Sequence, residues 1–108
     1  MRLFSLKTCD SCRKAVSDLR AAGFDPEIID VRADGVASED LARFVAAFGD
    51  PLVNRRSTTW RGLSESERSR SPVELLSQYP TLMKRPVIDT GDAVFLGWDA
   101  KTRSAVLG

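Results

Sequence analysis

Two cysteines, separated by two residues, are the side chains with the clearest capacity for chemistry. Cys9 and Cys12 lie in the stretch TCDSCRKA and are the only cysteines among the 108 residues. A Cys-x-x-Cys pair between a strand and a helix is typical of thioredoxin-like redox motifs. A thiol at a helix N-terminus is favoured as the thiolate, because unpaired backbone amides and the helix dipole stabilise negative charge. We therefore predict that Cys9 is a nucleophile and that Cys12 is a candidate to resolve its mixed disulfides.

The same two cysteines permit two other interpretations. A zinc site needs four ligands, and a chain without histidine or further cysteines could complete one only by dimerisation or with carboxylates. Alternatively, both thiols are small buried residues with no chemistry. We prefer the redox hypothesis and expect no metal. We also expect no bound cofactor, because the chain has no Gly-rich phosphate loop.

A band of positive charge occupies the middle of a chain whose formal net charge is only +1. Residues 54–85 carry seven Lys and Arg against three Asp and Glu. The low net charge argues against a general nucleic-acid or membrane binder. The band is either a solvated face or an anion site, and its segments NRRSTTWR and MKRP supply candidate ligands, since the guanidinium fork suits carboxylates and oxyanions.

The hydrophobic pattern predicts the order β-α-β, a helical insert, and then β-β-α. Strands are expected at Arg2–Leu6, Pro26–Val31, Pro86–Thr90 and Ala93–Gly97. A helix between the first two strands favours a parallel pair with a right-handed crossover. Gly91 and Asp92 predict a tight hairpin turn between the last two.

Residues 38–84 are predicted to be all-helical. Ser38 is expected to cap a helix with an apolar stripe, and SESE (64–67) and SPVE (71–74) match the capping-box pattern. Asp99 is expected to cap a last short helix.

The cellular compartment is predicted from the pattern of apolar residues. No apolar run approaches the ~20 residues that span a bilayer, and the N-terminus does not have the pattern of a signal peptide. We therefore expect a cytoplasmic protein, in a compartment where thiols stay reduced unless they cycle. A monomer is also expected.

Four segments give the chain a resemblance to the ArsC/Spx/YffB-like family. TCDSCRKA, NRRSTTWR, YPTLMKRPVI and FLGWD occur in the order typical of that family and together cover essentially the whole chain. The resemblance implies one domain over residues 1–108 with an α/β, thioredoxin-like fold. Its core comprises residues 1–37 and 85–108, and the all-helical insert of residues 38–84 lies between the two halves.

The resemblance also implies roles for individual residues. Cys9 is similar to the nucleophilic cysteine that attacks arsenate in the reductases. Arg56 resembles the first oxyanion-binding arginine, with the adjacent Arg55 as the alternative, and Arg85 resembles the second. Pro86 matches the family's cis-proline, which would pin Arg85 beside Cys9.

Two departures from the arsenate reductases bear on the substrate. The stretch FLGWDAK, with Gly97 and Trp98, stands where those enzymes carry a third arginine, and Cys12 stands where they usually have no cysteine. Loss of one charge-assisted contact costs ~1.5–3 kcal/mol. Trp98 is hypothesised to form an apolar side of the substrate pocket instead.

The resemblance is closest to the YffB-like branch, which implies a glutathione-dependent thiol reductase. Glutathione is the expected co-substrate and glutaredoxin a candidate partner, and the substrate would be a disulfide or a small oxyanion. Two alternatives are an arsenate reductase proper and an Spx-like regulator that binds RNA polymerase, with the two cysteines as its oxidation sensor.

Overall fold

A computed structural model describes all 108 residues, which form two compact units. The first consists of Met1–Asp30 and Arg85–Gly108, and the second of Val31–Lys84. The helical insert is predicted to begin at residue 38, whereas the second unit already includes the turn from Val31. Val31 is fully buried and its carbonyl oxygen accepts a hydrogen bond from the Gly35 amide at 3.1 Å, which orders this turn.

The first unit is built on a four-stranded mixed sheet. Its strands are β1 (Arg2–Ser5), β2 (Glu27–Asp30), β3 (Val87–Asp89) and β4 (Val94–Leu96), in the spatial order β2-β1-β3-β4. β1 and β2 are parallel, whereas β3 is antiparallel to both β1 and β4. The parallel βαβ half and the antiparallel ββα half confirm the predicted thioredoxin-like fold. Each strand is one or two residues shorter than predicted, and three of the four also begin one residue later than predicted.

Two helices, α1 (Asp10–Ala21) and α6 (Ala100–Leu107), cover one face of this sheet. Leu3 and Ile88 pair across β1 and β3 and form a fully buried cluster with Ala15 and Leu19 of α1. The apolar side of α6 packs against the same cluster. Asp99 caps α6 by accepting a hydrogen bond from the Thr102 amide at 2.8 Å, as predicted. Burial of this apolar cluster fixes α1, and therefore the position of its N-terminus, on the sheet.

The second unit is helical, as predicted. Its helices are α2 (Ser38–Phe48), α3 (Thr58–Arg61), α4 (Glu65–Arg68) and α5 (Pro72–Gln78), with short 3-10 turns at Asp50–Leu52 and Pro80–Leu82. The apolar stripe of α2 packs against α5. Within this unit, Val53 pairs with Met83 in an isolated antiparallel bridge.

Three predictions about helix starts have different outcomes. Ser64 forms a complete capping box with Glu67, and Ser71 accepts a hydrogen bond from the Glu74 amide. The prediction for Ser38 is wrong: the Ala37 carbonyl oxygen accepts the first helical bond, from Leu41 at 3.0 Å, so α2 begins one residue earlier than expected.

None of the helices combines the length and apolarity that crossing a bilayer requires.

Candidate active site

The sheet topology brings Cys9 and Arg85 to the same edge of the first unit. β1 pairs antiparallel with β3, with Phe4 opposite Val87, so the end of β1 lies beside the start of β3. Cys9 follows β1 through a short turn, in which its amide donates to the Leu6 carbonyl oxygen at 2.9 Å. Arg85 lies just before β3. Two residues 76 positions apart in the sequence thus become neighbours.

The peptide bond between Arg85 and Pro86 is cis, as expected from the sequence. Pro86 is buried, and its carbonyl oxygen accepts a hydrogen bond from the Gly97 amide at 2.8 Å, which ties this bond to the end of β4. The residue before β3 is therefore held from both sides, by the ladder with β1 and by the contact with β4.

Cys9 is the N-cap residue of α1. Its backbone is extended (φ −91°, ψ 115°), and its carbonyl oxygen accepts the first helical hydrogen bond, from Arg13 at 3.1 Å. The thiol is half-buried and not part of a disulfide. This position points the sulfur toward the unpaired amides of the first helical turn, which favour a negative charge.

The environment of Cys9 lowers its thiol pKa. Burial acts in the opposite direction, but it is outweighed by hydrogen bonding from the Cys12 amide and thiol and by the guanidinium of Arg85. The Cys9 thiol makes no regular capping hydrogen bond, yet the Cys12 amide lies close enough to stabilise a thiolate. Arg85 also hydrogen-bonds to the sulfur. A half-exposed thiol with a lowered pKa has the properties of a nucleophile.

Cys12 has the opposite character, although it belongs to the same motif. Its residue is only 2% exposed, and burial is the main reason that its pKa is raised to about 12. The Leu6 backbone lowers this pKa, but by less than burial raises it, and the hydrogen bond and the charge of Cys9 raise it further. At neutral pH Cys12 is then a protonated thiol. Cys12 donates its S–H to Cys9 rather than competing with it as a nucleophile.

Arg55 and Arg56 belong to the second unit, and they differ in their local contacts. The Arg55 guanidinium lies 5.3 Å from the centre of the Trp60 ring and 3.9 Å from the Asp50 carboxylate. Arg56 is exposed, and only its backbone amide is engaged, by the Asn54 side-chain oxygen at 3.1 Å. Arg55 is thus committed to structural contacts, and Arg56 is the better candidate of the two for anion binding. Both assignments stay predictions.

Trp98 does not occupy the position that the sequence hypothesis gives it. Its indole nitrogen donates a hydrogen bond to the Asp18 carboxylate at 2.9 Å, and its ring packs against the cluster that includes Leu19. Asp18 lies nine residues after Cys9, which corresponds to about 13 Å along the helix. Trp98 therefore anchors the start of α6 to α1 and does not form a wall beside Cys9.

Asp18 holds the start of α6 against α1 and was not identified from the sequence. Its carboxylate also accepts a hydrogen bond from Arg103 of α6 at 3.1 Å. The bonds from Trp98 and Arg103 lower its pKa. An acidic residue on the exposed side of an amphipathic helix has no local pattern that would reveal partners 80 and 85 residues away. The chain also has no group of three or more potential metal ligands that could hold an ion.

Comparisons with known proteins identify related sequences and structures. The ArsC family matches residues 4–106. An uncharacterised protein of Haemophilus influenzae is 33% identical over 95% of both chains. The solved structure of a YffB protein has a TM-score of 0.89 at 30% identity and covers 98% of this chain and 97% of its own. An arsenate reductase-related protein of Brucella melitensis has a TM-score of 0.71 at 30% identity, covering 97% of this chain and 93% of its own.

The match to the ArsC family extends from the first strand to the last helix and therefore includes the cysteine motif and the segment around the cis-proline. The chain belongs to the ArsC family.

Proposed function

We propose that this protein is a glutathione-dependent thiol reductase in which Cys9 is the nucleophile and an external thiol completes the cycle. Membership of the ArsC family supports a thiol-based reductase in general. The observation that carries the finer proposal is the contrast within the motif: Cys9 is half-exposed with a lowered pKa, whereas Cys12 is buried with a pKa of about 12.

The first step is an exchange between thiolate and disulfide. The Cys9 thiolate attacks the glutathione sulfur of a mixed disulfide, forming a Cys9–glutathione disulfide and releasing the substrate as its thiolate. Arg85 stabilises the anionic sulfur of Cys9 before attack and again when it becomes the leaving group. A second glutathione then attacks the adduct, which restores the Cys9 thiolate and gives oxidised glutathione. Each cycle therefore consumes one free glutathione, whose sulfur pairs with the glutathione taken from the mixed disulfide, and the substrate is released as a thiol.

Resolution by glutathione is favoured over resolution by Cys12. Once Cys9 carries glutathione it is uncharged, so its own effect on the pKa of Cys12 disappears, but the burial that dominates that pKa remains. A buried thiol that stays protonated attacks slowly. The thiol of free glutathione, or of glutaredoxin in its place, is neither buried in this fold nor held protonated by it.

Two arginines are proposed to hold anionic groups of the substrate or of glutathione. Arg85 has geometric support, because it adjoins the Cys9 sulfur. Arg56 is proposed from the family resemblance and from its uncommitted, exposed side chain, with Arg55 as the alternative. No tightly bound cofactor is proposed.

Arsenate reduction is the second candidate, and the guanidinium of Arg85 beside Cys9 is the observation that favours it. Arginine binds tetrahedral oxyanions as well as carboxylates. In that case Cys9 would first displace water from arsenate, and glutathione would then reduce the bound arsenic and leave the same Cys9–glutathione disulfide.

Turnover of a glutathionylated peptide and of arsenate, each with glutathione, NADPH and glutathione reductase, tests the proposal. We expect NADPH consumption with the peptide that is lost in Cys9→Ser. Turnover of arsenate alone would favour the second candidate. Inactivity toward both substrates, with and without glutaredoxin, would exclude both reductase proposals and leave the regulatory alternative.

A further inference from the structure

A groove in the first unit has no part in the reaction proposed above. It has a volume of about 590 Å³ and lies between one side of α1, the end of β1 and the edge strand β2. Cys12 forms part of its wall, but Cys9 does not line it. The groove therefore approaches the reactive cysteine from the side of its buried neighbour.

The rim of the groove is positively charged. Lys7, Arg13 and Arg20 are exposed residues that line it, and none of the lining residues is acidic. Arg13 has an exposed ion pair with Asp10, which contributes little because both side chains are solvated. Arg13 and Arg20 are seven residues apart on one face of α1, or about 10 Å along the helix axis. The cations are thus spread along the groove rather than directed at one point.

The floor of the groove is apolar. Leu6, Val16 and Ile28 contribute to it, and Ile28 is 40% exposed, which is unusual for a large hydrophobic residue of this chain. Ile28 belongs to β2, one of the two edge strands of the sheet, beside which an extended segment can align. An exposed apolar residue at a sheet edge, bordered by separated cations, suits a ligand that is extended, anionic and partly apolar.

We propose that this groove docks an extended acidic peptide segment of the protein that carries the thiol or disulfide substrate. One apolar side chain of the segment would contact Val16 and Ile28, and its carboxylates would pair with Lys7, Arg13 and Arg20. A single small anion fits less well, because the cations do not converge. A nucleic acid fits less well because no aromatic residue lines the groove for base stacking.

The position of Cys12 connects this groove with the chemistry. Cys12 lines the groove and hydrogen-bonds to Cys9, so a segment docked here lies next to the reactive pair. The inference rests on the proposed function, because it identifies the substrate as a protein thiol with acidic flanking sequence. The binding itself needs no reaction and can be measured without it.

The test is a titration of ¹⁵N-labelled Cys9→Ser protein with the acetylated and amidated hexapeptide Asp-Leu-Glu-Val-Asp-Glu. We expect chemical-shift changes at the amides of Lys7, Val16 and Ile28. A hexapeptide with lysine at each acidic position should cause none of them. Equal binding of the lysine peptide, or changes confined to other surfaces, would overturn the proposal.

Three variants in the Cys9→Ser background sharpen the result. Arg20→Glu should weaken binding of the acidic peptide about tenfold, and Ile28→Thr, which keeps strand propensity, should also weaken it. Lys101→Glu, on exposed α6 and outside the groove, makes the same charge change and should have no effect. If Arg20→Glu and Lys101→Glu weaken binding equally, the peptide responds only to the net charge of the protein, and the proposal fails.

Two further outcomes separate this inference from the proposed function. Displacement of the peptide by equimolar oxidised glutathione would identify a small-anion site and overturn peptide docking. Peptide binding by a protein that shows no reductase turnover would support the groove while the proposed reaction fails. With active protein, Arg20→Glu should raise KM for a glutathionylated acidic peptide, whereas Lys101→Glu, outside the groove, should leave that KM unchanged.

Discussion

The guanidinium of Arg85 hydrogen-bonds to the sulfur of Cys9, and it is the charged side chain that lowers the pKa of this thiol. The contact joins Arg85, two residues before β3, to the N-cap of α1, so it depends on the antiparallel pairing of β1 with β3. A cation beside the sulfur and helix amides behind it together favour the thiolate form of Cys9.

Replacement of Arg85 should therefore change the ionisation of Cys9. In Arg85→Ala we expect a higher Cys9 pKa and a loss of turnover of about tenfold or more at pH 7, since one charge-assisted hydrogen bond is removed. The rate of iodoacetamide alkylation, measured against pH, reports the pKa directly. Arg85→Lys keeps the charge and should retain part of the shift. An alkylation profile unchanged in Arg85→Ala would contradict the role given to this residue.

Removal of the Cys12 thiol should leave the reductase active. Cys12→Ala keeps the backbone amide that faces Cys9 and loses only the S–H donor, so the pKa of Cys9 should rise without a loss of nucleophile. We expect kcat with glutathione within about threefold of the wild type, because glutathione resolves the adduct. Collapse of turnover in this variant would show that Cys12 is the resolving residue.

The buried Cys12 thiol should make the fold sensitive to alkaline pH. Its pKa is raised on folding, so its stabilising contribution is complete below the ordinary thiol pKa and is lost as the pH rises toward about 12. Above the ordinary thiol pKa, the native state binds more protons at this site than the unfolded chain. The free energy of unfolding should then fall more steeply in the wild type than in Cys12→Ala, by up to about 1.4 kcal/mol per pH unit. Urea denaturation between pH 8 and pH 10 under reducing conditions measures the difference, and parallel slopes would contradict the prediction.

Replacement of Trp98 tests whether this residue lies outside the substrate pocket. Because its indole nitrogen bonds to Asp18, far along α1 from Cys9, Trp98→Arg should not improve the use of arsenate. It should instead lower Tm by about 5 °C, since the ring leaves the cluster beneath α6. Trp98→Phe, which retains the ring packing and loses the hydrogen bond, should have a smaller effect. A gain of arsenate turnover in Trp98→Arg would show that this position does face the substrate.

Replacement of each of the two adjacent arginines of the second unit should have a different effect on KM and on stability. Arg56→Ala is expected to raise KM for the glutathione substrate about tenfold, because its side chain is proposed to bind an anionic group. Arg55→Ala should leave KM nearly unchanged and slightly lower stability, because its guanidinium packs on Trp60. Opposite effects of the two variants would exchange their assignments.

Much of the fold was predictable because its determinants are local. The apolar residues of β1, the β-branched residues of β2 and the apolar stripe of α1 predict a parallel βαβ unit, and SESE predicts a capping box that forms at Ser64. The start of α2 was misplaced by one residue, because Ser38 matches the usual N-cap preference but the chain turns helical at Ala37's carbonyl.

The site was less predictable, because its properties arise from burial and from distant contacts. Sequence spacing makes Cys9 and Cys12 look like equal partners, and only the packing of α1 buries one and exposes the other. The bond between Asp18 and Trp98 joins residues 80 positions apart, and no local pattern encodes it.

In the proposed reaction Cys9 forms the mixed disulfide, and glutathione, not Cys12, resolves it. Mass spectrometry of wild-type protein, quenched in acid during turnover of a glutathionylated peptide and digested without reductant, tests this most directly. We predict that the species to accumulate is glutathione attached to Cys9, with Cys12 free. Accumulation of a Cys9–Cys12 disulfide instead would contradict the account and would make this motif an intramolecular redox switch.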